Sequence, residues 1–163
     1  MVELLGYSAH NKKAWFIRLF TRKKYDHVAF KINSTQIIDA RPCNGFNSYN
    51  SHQPKNALVD VFSLNLNSVD MADLERVIAT HLGQHPYDFV GIGGYVFGKI
   101  FDKRIRHNRK NWFCSEAIVE CIRRAGCVIF PGYNACDISP GKLLQDKMFR
   151  KTASKILVDG RLF

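Results

Sequence analysis

Trp112-Phe113-Cys114-Ser115-Glu116-Ala117-Ile118-Val119-Glu120-Cys121-Ile122-Arg123-Arg124-Ala125-Gly126 is the stretch that decides the architecture. Positions 114, 118, 121 and 125, with 117 and 122 beside them, form one apolar stripe at helical spacing, and Gly126 stands where a C′ residue belongs. The spacing predicts a helix from about Cys114 to Ala125 that opens on a cysteine. A helix N-terminus carries unsatisfied backbone N–H groups and about half a positive charge. A thiolate is stabilised there, and the same N–H groups can hold the oxyanion formed when sulfur attacks a carbonyl. The competing reading is that Cys114 is merely the first buried residue of the stripe, since inert buried cysteine is the commoner case.

Upstream, the chain reads mainly as strands. Residues 2–7 alternate weakly. His27-Val28-Ala29-Phe30-Lys31-Ile32 and Gln36-Ile37-Ile38-Asp39-Ala40 flank Asn33-Ser34 as a hairpin, and Leu58–Leu64 alternates well. Asn11 can cap a short helix through Phe20. Residues 41–56 read as a polar loop. Ser68, as N-cap, opens a helix to His81 with Met71, Leu74, Val77 and Ile78 on one face, stopped by Gly83. Ser139-Pro140 starts another helix through about Lys147, and Ile156-Leu157-Val158 is a last short strand. Antiparallel strands at one end and helices at the other make an α+β fold, and no linker or repeat divides residues 1–163, so one domain is expected.

A chain of 163 residues can bury roughly 70% of its unfolded surface, and an apolar fraction of 46% excludes disorder. The N-terminus shows no basic region followed by an apolar run, and no stretch approaches a spanning helix, so a cytoplasmic protein, or one delivered within a larger particle, is expected. Twenty-four Lys and Arg against 14 Asp and Glu give +10 and a pI near 9.6, which points to an anionic partner or surface, or else to a solubilising shell. The five cysteines (43, 114, 121, 127, 136) include no C-x-x-C pair and no zinc spacing, so neither a metal nor a cofactor is expected.

A thiolate nucleophile needs a base, and the base an orienting group. His27 begins a predicted strand, and a turn centred on Asn33-Ser34 makes residues near 27 and 39–40 cross-strand neighbours. Asp39 beside the imidazole would fix its tautomer and stabilise the imidazolium. Cysteine on a helix N-terminus with histidine and aspartate on adjacent strands is a papain-type arrangement, in the order His, Asp, Cys.

These blocks carry a resemblance. Pro86-Tyr87-Asp88-Phe89 and Trp112-Phe113-Cys114-Ser115-Glu116-Ala117-Ile118-Val119 resemble the Pro-Tyr … Cys-Ser block of the NlpC/P60 papain-like hydrolases. Tyr25-Asp26-His27-Val28-Ala29-Phe30 precedes that block, which is similar to the circularly permuted branch of YiiX/YaeF-like and lecithin:retinol acyltransferase-like proteins. Ile37–Ala40 is similar to the strand that holds their third polar residue, and Ser139–Leu144 to their Pro-containing segment. The resemblance implies a papain-like fold, Cys114 as nucleophile, His27 as base, Asp39 as orienting group and Tyr87 near the oxyanion. Asp39 stands where Glu or His is commoner, and the insertion between Tyr87 and Cys114 is long. The implied activity is amide or ester hydrolysis or acyl transfer through a thioester. Implied substrates are a peptide, a peptidoglycan fragment, an acyl lipid or a modified protein.

Lys103, Arg104, Arg106 and Arg109 belong to a basic segment, 99–110, that ends just before Trp112, and Lys12, Lys13, Arg18, Arg22, Lys23 and Lys24 precede His27. The first group is expected to bind an anionic substrate or to sit on an anionic surface. Glu116 is expected to favour the helix dipole and to point away from Cys114. The competing function is a non-catalytic basic module for nucleic acid or anionic membrane. Phe97, Phe101 and Trp112 do not form a strand-based stacking platform, and no helix-turn-helix or phosphate loop appears. A structural component of a larger particle is a third reading.

Overall fold

The computed structural model describes residues 2–9, 11, 19, 21–33, 36–42, 44–50, 52, 56–88, 110–159 and 161–162. Seven strands, β1 (Val2–Ala9), β2 (His27–Ile32), β3 (Gln36–Arg41), β4 (Gly45–Tyr49), β5 (Ala57–Leu64), β6 (Phe149–Val158) and β7 (Arg161–Leu162), form one sheet in the order β4-β3-β2-β1-β5-β6-β7. Every pairing is antiparallel. Among the described residues three α-helices accompany it: α1 (Ser68–His81), α2 (Cys114–Arg124) and the short α3 (Pro140–Leu143). The fold is α+β. The helix expected over 11–20 lies almost wholly outside the described residues.

The β2–β3 hairpin forms as its alternation dictates, with Asn33 in the left-handed region (φ 61°) and a ladder from Ile32↔Gln36 to Phe30↔Ile38. Four elements differ from expectation. Part of the polar loop 41–56 is strand β4: Phe46 is fully buried, Gln36 Nε2 donates to Ser48 Oγ at 2.8 Å, and β4 pairs with β3 from Ile37↔Tyr49 to Arg41↔Gly45. Helix α1 is capped by Asn67 rather than Ser68, its Oδ1 accepting from the amides of Val69 and Asp70 at 2.9 Å each. Helix α3 ends at Leu143, where bonding tightens from Leu143 N–H to Ser139 O into i→i−3 turns at Gln145 and Asp146. Strand β6 is ten residues long; after buried Phe149 its first half, Arg150-Lys151-Thr152-Ala153, is exposed or half-buried and carries no apolar alternation to read.

Alternation sorts the sheet residues into two cores. Leu4, Val28, Phe30, Ile38, Ala40 and Phe62 pack with Leu74 and Ile78 of α1 and with Ile118 and Ile122 of α2. Leu5, Tyr7, Ala29, Ile37, Val59 and Val61 form the second. Each fully buried aliphatic side chain contributes about 1.5–3 kcal/mol, so the helix stripe is sufficient to fix α2 against β2 and β3. Gly126 (φ 88°) ends α2 in the left-handed conformation expected of a C′ residue.

Candidate active site

Cys114 is the first residue of α2, and the N-cap before it is Phe113, whose side chain has no acceptor to spend on the first-turn amides. Packing of α2 on β2 and β3 carries the thiol to His27, the first residue of β2. His27 Nε2 lies 2.9 Å from Asp39 Oδ2. Alternation puts His27 and Asp39 on one side of their hairpin, so the neighbour relation expected from the turn is realised as a direct side-chain contact. With Nε2 engaged, Nδ1 is the nitrogen left to face sulfur, and Cys114 lies near enough to act on the charge of the imidazole. Burial acts most strongly on His27 and would lower its pKa. The thiolate charge of Cys114 and the hydrogen bond to Asp39 outweigh it, and the imidazole is pushed up to about 10.

The structure adds residues that the sequence reading passed over. Arg41 Nε donates to Asp39 Oδ1 at 2.8 Å, and its guanidinium lies 3.6 Å from the Tyr49 ring centroid. Each carboxylate oxygen of Asp39 therefore has its own partner, which locks the side chain toward His27. Arg41 was legible in principle, because a period of two places 39 and 41 on one face. Tyr7 is fully buried, pairs with His27 across β1–β2 and holds its ring centroid 5.5 Å from the imidazole. Burial and the Asp39 charge raise its phenol, whose oxygen lies 2.7 Å from His52 Nδ1; burial, then Arg41 and Lys31, lower His52. Nothing local in the sequence pairs residue 7 with 27.

Tyr87 reaches the same centre. Its segment bridges to Trp112, with Trp112 N–H to Pro86 O at 2.9 Å and Asp88 N–H to Trp112 O at 3.2 Å. Burial raises the Tyr87 hydroxyl, followed by the nearby charges of Cys114, Asp39 and Asp88. A histidine chain supports this strip. Arg124 Nη1 lies 3.0 Å from His81 Nε2, His81 Nδ1 lies 3.0 Å from His85 Nε2, and His85 Nδ1 lies 3.0 Å from Lys110 O. Arginine can only donate and a carbonyl only accept, so both histidines carry their proton on Nδ1. His85 stacks on Trp112 at 3.5 Å.

Lys103, Arg104, Arg106 and Arg109 lie outside the described residues, as does Cys43. Glu116 differs from expectation: it is 3% exposed, and burial pushes its carboxyl up to about 9, so at neutral pH it is no anion for the dipole. Cys121, Cys127 and Cys136 all have thiols raised first by burial, Cys136 to about 11.

No protein-family model and no curated protein matches the chain. Among solved structures, the metalloprotein YiiX from Escherichia coli O157:H7 superposes with a TM-score of 0.52 at 12% identity, covering 93% of this chain and 94% of YiiX. The chain has a YiiX-like fold. That likeness concerns the fold alone. Among the described residues of this chain, no group of three or more His, Cys, Asp or Glu side chains could hold a metal ion. Among them, too, no helix is long and apolar enough to cross a membrane.

Proposed function

We propose that the chain is a cysteine hydrolase, or an acyltransferase of the same chemistry, acting on an amide or ester. The observation that carries this reading is the Cys114–His27–Asp39 array: a thiol at a helix tip, electrostatically linked to an imidazole whose Nε2 is 2.9 Å from a buried carboxylate. The thiol proton passes to His27, giving a thiolate–imidazolium pair supported by Asp39. Sulfur attacks the substrate carbonyl, and the developing oxyanion draws on the first-turn amides of α2, with Tyr87 beside it. Collapse of the tetrahedral adduct breaks the C–N or C–O bond as the imidazolium gives its proton to the leaving group. Water, or an acceptor nucleophile, loses a proton to His27 and attacks the thioester, and the second collapse releases the thiolate. The permuted NlpC/P60 resemblance supports the same assignment, and the YiiX-like fold is compatible with it. A peptide, a peptidoglycan fragment and an acyl lipid are the substrate classes this chemistry serves. The basic residues Lys103, Arg104, Arg106 and Arg109 are assigned to an anionic substrate or surface.

The test is trapping of the acyl-enzyme. Brief incubation with an activated aryl ester, acid quenching and peptide mass spectrometry is expected to place the acyl group on Cys114 and to find none on Cys114→Ala. Acylation spread evenly over the cysteines would overturn the assignment. The charge of +10 favours a second reading, a basic module that binds nucleic acid or anionic membrane. Binding unchanged in Cys114→Ala, together with no acyl adduct in the parent, would carry that reading instead.

A further inference from the structure

The histidine chain beside the Tyr87 strip holds a fixed number of protons. Its contacts run from Arg124 Nη1 to His81 Nε2, from His81 Nδ1 to His85 Nε2, and from His85 Nδ1 to the Lys110 carbonyl, each 3.0 Å long. Each contact takes one proton, and the guanidinium always supplies the first. The other two are the complement of two neutral imidazoles. A further ring proton finds no acceptor. On His81 Nε2 it meets the Arg124 N–H; on His85 Nε2 it meets the His81 N–H, and moving that proton across the His81 ring restores the clash with Arg124. Whichever contact gives way, Arg124 is severed from His85, and His85 stays bonded to the Lys110 carbonyl. The chain joins the last turns of α1 and α2, where His81 and Arg124 stand, to the strip that carries Tyr87. The His85 carbonyl accepts from Phe46 N–H of β4 at 2.9 Å, and its ring stacks on Trp112, two residues before Cys114.

We infer that His81 and His85 form an acid-sensitive latch: with both rings neutral they tie the ends of α1 and α2 to the strip that sets Tyr87 beside Cys114, and one added proton breaks the tie and loosens that strip. The inference rests on the cysteine-hydrolase reading only for the role of Tyr87 at the oxyanion. Among the described residues, the charges that face the pair agree with it in sum. Burial is the largest influence and lowers both rings. On His81, Arg124 and His85 act in the same direction and Glu120 opposes them. On His85 the Lys110 carbonyl and Glu120 favour the cation, and Arg124 opposes it. Arg124 also lies 5.1 Å from the Trp112 centroid, so an imidazolium on that ring meets a like charge. Histidines held neutral by the fold stabilise it fully above their unfolded value of 6.5, and that contribution is lost as pH falls through 6.5 toward the lowered folded value.

The first readout is nitrogen-15 NMR of the full chain. Both rings are expected as the Nδ1–H tautomer at neutral pH and to titrate below 6.5, with the Phe46 and Trp112 amide resonances moving in step. The second is the ratio of acylation by an activated aryl ester to alkylation by iodoacetamide at Cys114, resolved by mass spectrometry. Both reactions use the same thiolate, but only acylation forms an oxyanion. Over the pH range in which the rings titrate, that ratio is expected to fall at least about tenfold, since losing one oxyanion donor outright costs about a hundredfold or more. Arg124→Met separates a latch from a mere prop. It removes the donor that faces His81 Nε2, so the added proton turns to water and the rest of the chain stays closed. Its His81 titration is expected to move up and the acid fall in the ratio to vanish, whereas loss of a prop would lower the ratio at every pH. His85→Phe keeps a ring on Trp112 but bonds neither His81 nor Lys110, so its ratio is expected to be low and flat with pH.

Either ring carrying its proton on Nε2 at neutral pH, amides of Phe46 and Trp112 that ignore the titration, or an acid fall that persists in Arg124→Met would overturn the proposal. The imidazole and amide resonances are read without reference to catalysis. A chain that titrates as expected, with Phe46 and Trp112 responding, beside a Cys114 that takes no acyl group would therefore locate the failure in the hydrolase reading.

Discussion

Replacing Asp39 by Asn isolates the support given to the imidazolium. Asp39 has no exposed side-chain surface and divides its two oxygens between His27 at 2.9 Å and Arg41 at 2.8 Å. A hydrogen bond to a charged group contributes about 1.5–3 kcal/mol. At 1.36 kcal/mol per pKa unit, its loss should lower the His27 pKa by about one to two units from its raised position. The sign of the linked stability follows. A histidine raised in the folded state stabilises it fully below the unfolded value of 6.5, and that contribution disappears as pH rises through about 10. Asp39→Asn should therefore lose less stability than the parent between pH 6.5 and 10, by about 1.5–3 kcal/mol. It should also be less stable at every pH, because Arg41 keeps a buried charge without this partner. Arg41→Leu should act oppositely, leaving the Asp39 charge undivided and raising His27. Imidazole titration by NMR, with denaturant melts at the two pH values, reads both effects. Titration of Asp39→Asn at the parent's midpoint would refute the reasoning, as would shifts of one sign in both variants.

Two further outcomes follow from the scaffold. Asp60 accepts from Lys24, Tyr25, Lys151 and Ser154 and is held well below the usual carboxylate range, burial opposing and the hydrogen bonds outweighing it. Its contribution is present above pH 4 and lost as pH falls. Because the lysines can rehydrate, Asp60→Asn should cost about 2–3 kcal/mol, chiefly through Tyr25 and Ser154, with the difference from the parent narrowing in acid melts. Gly45 has φ 63°, and a Cβ there would come within 2.2 Å of the His85 carbonyl, which accepts from Phe46 N–H at 2.9 Å. Gly45→Ala should therefore lower the melting temperature by several degrees and, by shifting the 85–88 strip, reduce Cys114 reactivity; unchanged melting and reactivity would show that the contact yields.

Much of this site is local enough to be legible in sequence. The stripe at 114, 118, 121 and 125 places Cys114 at a helix tip whatever the helix packs on. A hairpin with Asn33 in its turn leaves few partners for His27, so Asp39 could be identified before the fold was known. What depends on long-range pairing could not be read. Tyr7 joins His27 only through the β1–β2 register, and Glu116 is raised chiefly by its burial in the packed first turn of α2, with Asp88, Glu120 and Asp137 adding to it. Strands β4 and the first half of β6 escaped for another reason: they are polar strands held by their neighbours, and a hydrophobic period is absent where one is not buried. Asn67 rather than Ser68 capping α1 is a one-residue shift between two residues of equal capping strength.

The central claim is that His27 activates Cys114 as a nucleophile, and site-resolved alkylation tests it most directly. Iodoacetamide rates are measured at each cysteine from pH 5 to 9 by mass spectrometry, in the parent and in His27→Ala. An ordinary thiol, with a pKa of about 8.5, is well under 1% ionised at pH 6. An imidazolium-paired thiolate should outpace it there by roughly tenfold or more, even after allowance for its weaker intrinsic nucleophilicity. Cys114 is therefore predicted to react first at pH 6 and to lose that lead in His27→Ala. A Cys114 that reacts no faster than Cys127 at pH 6, or keeps its lead without His27, would contradict the account.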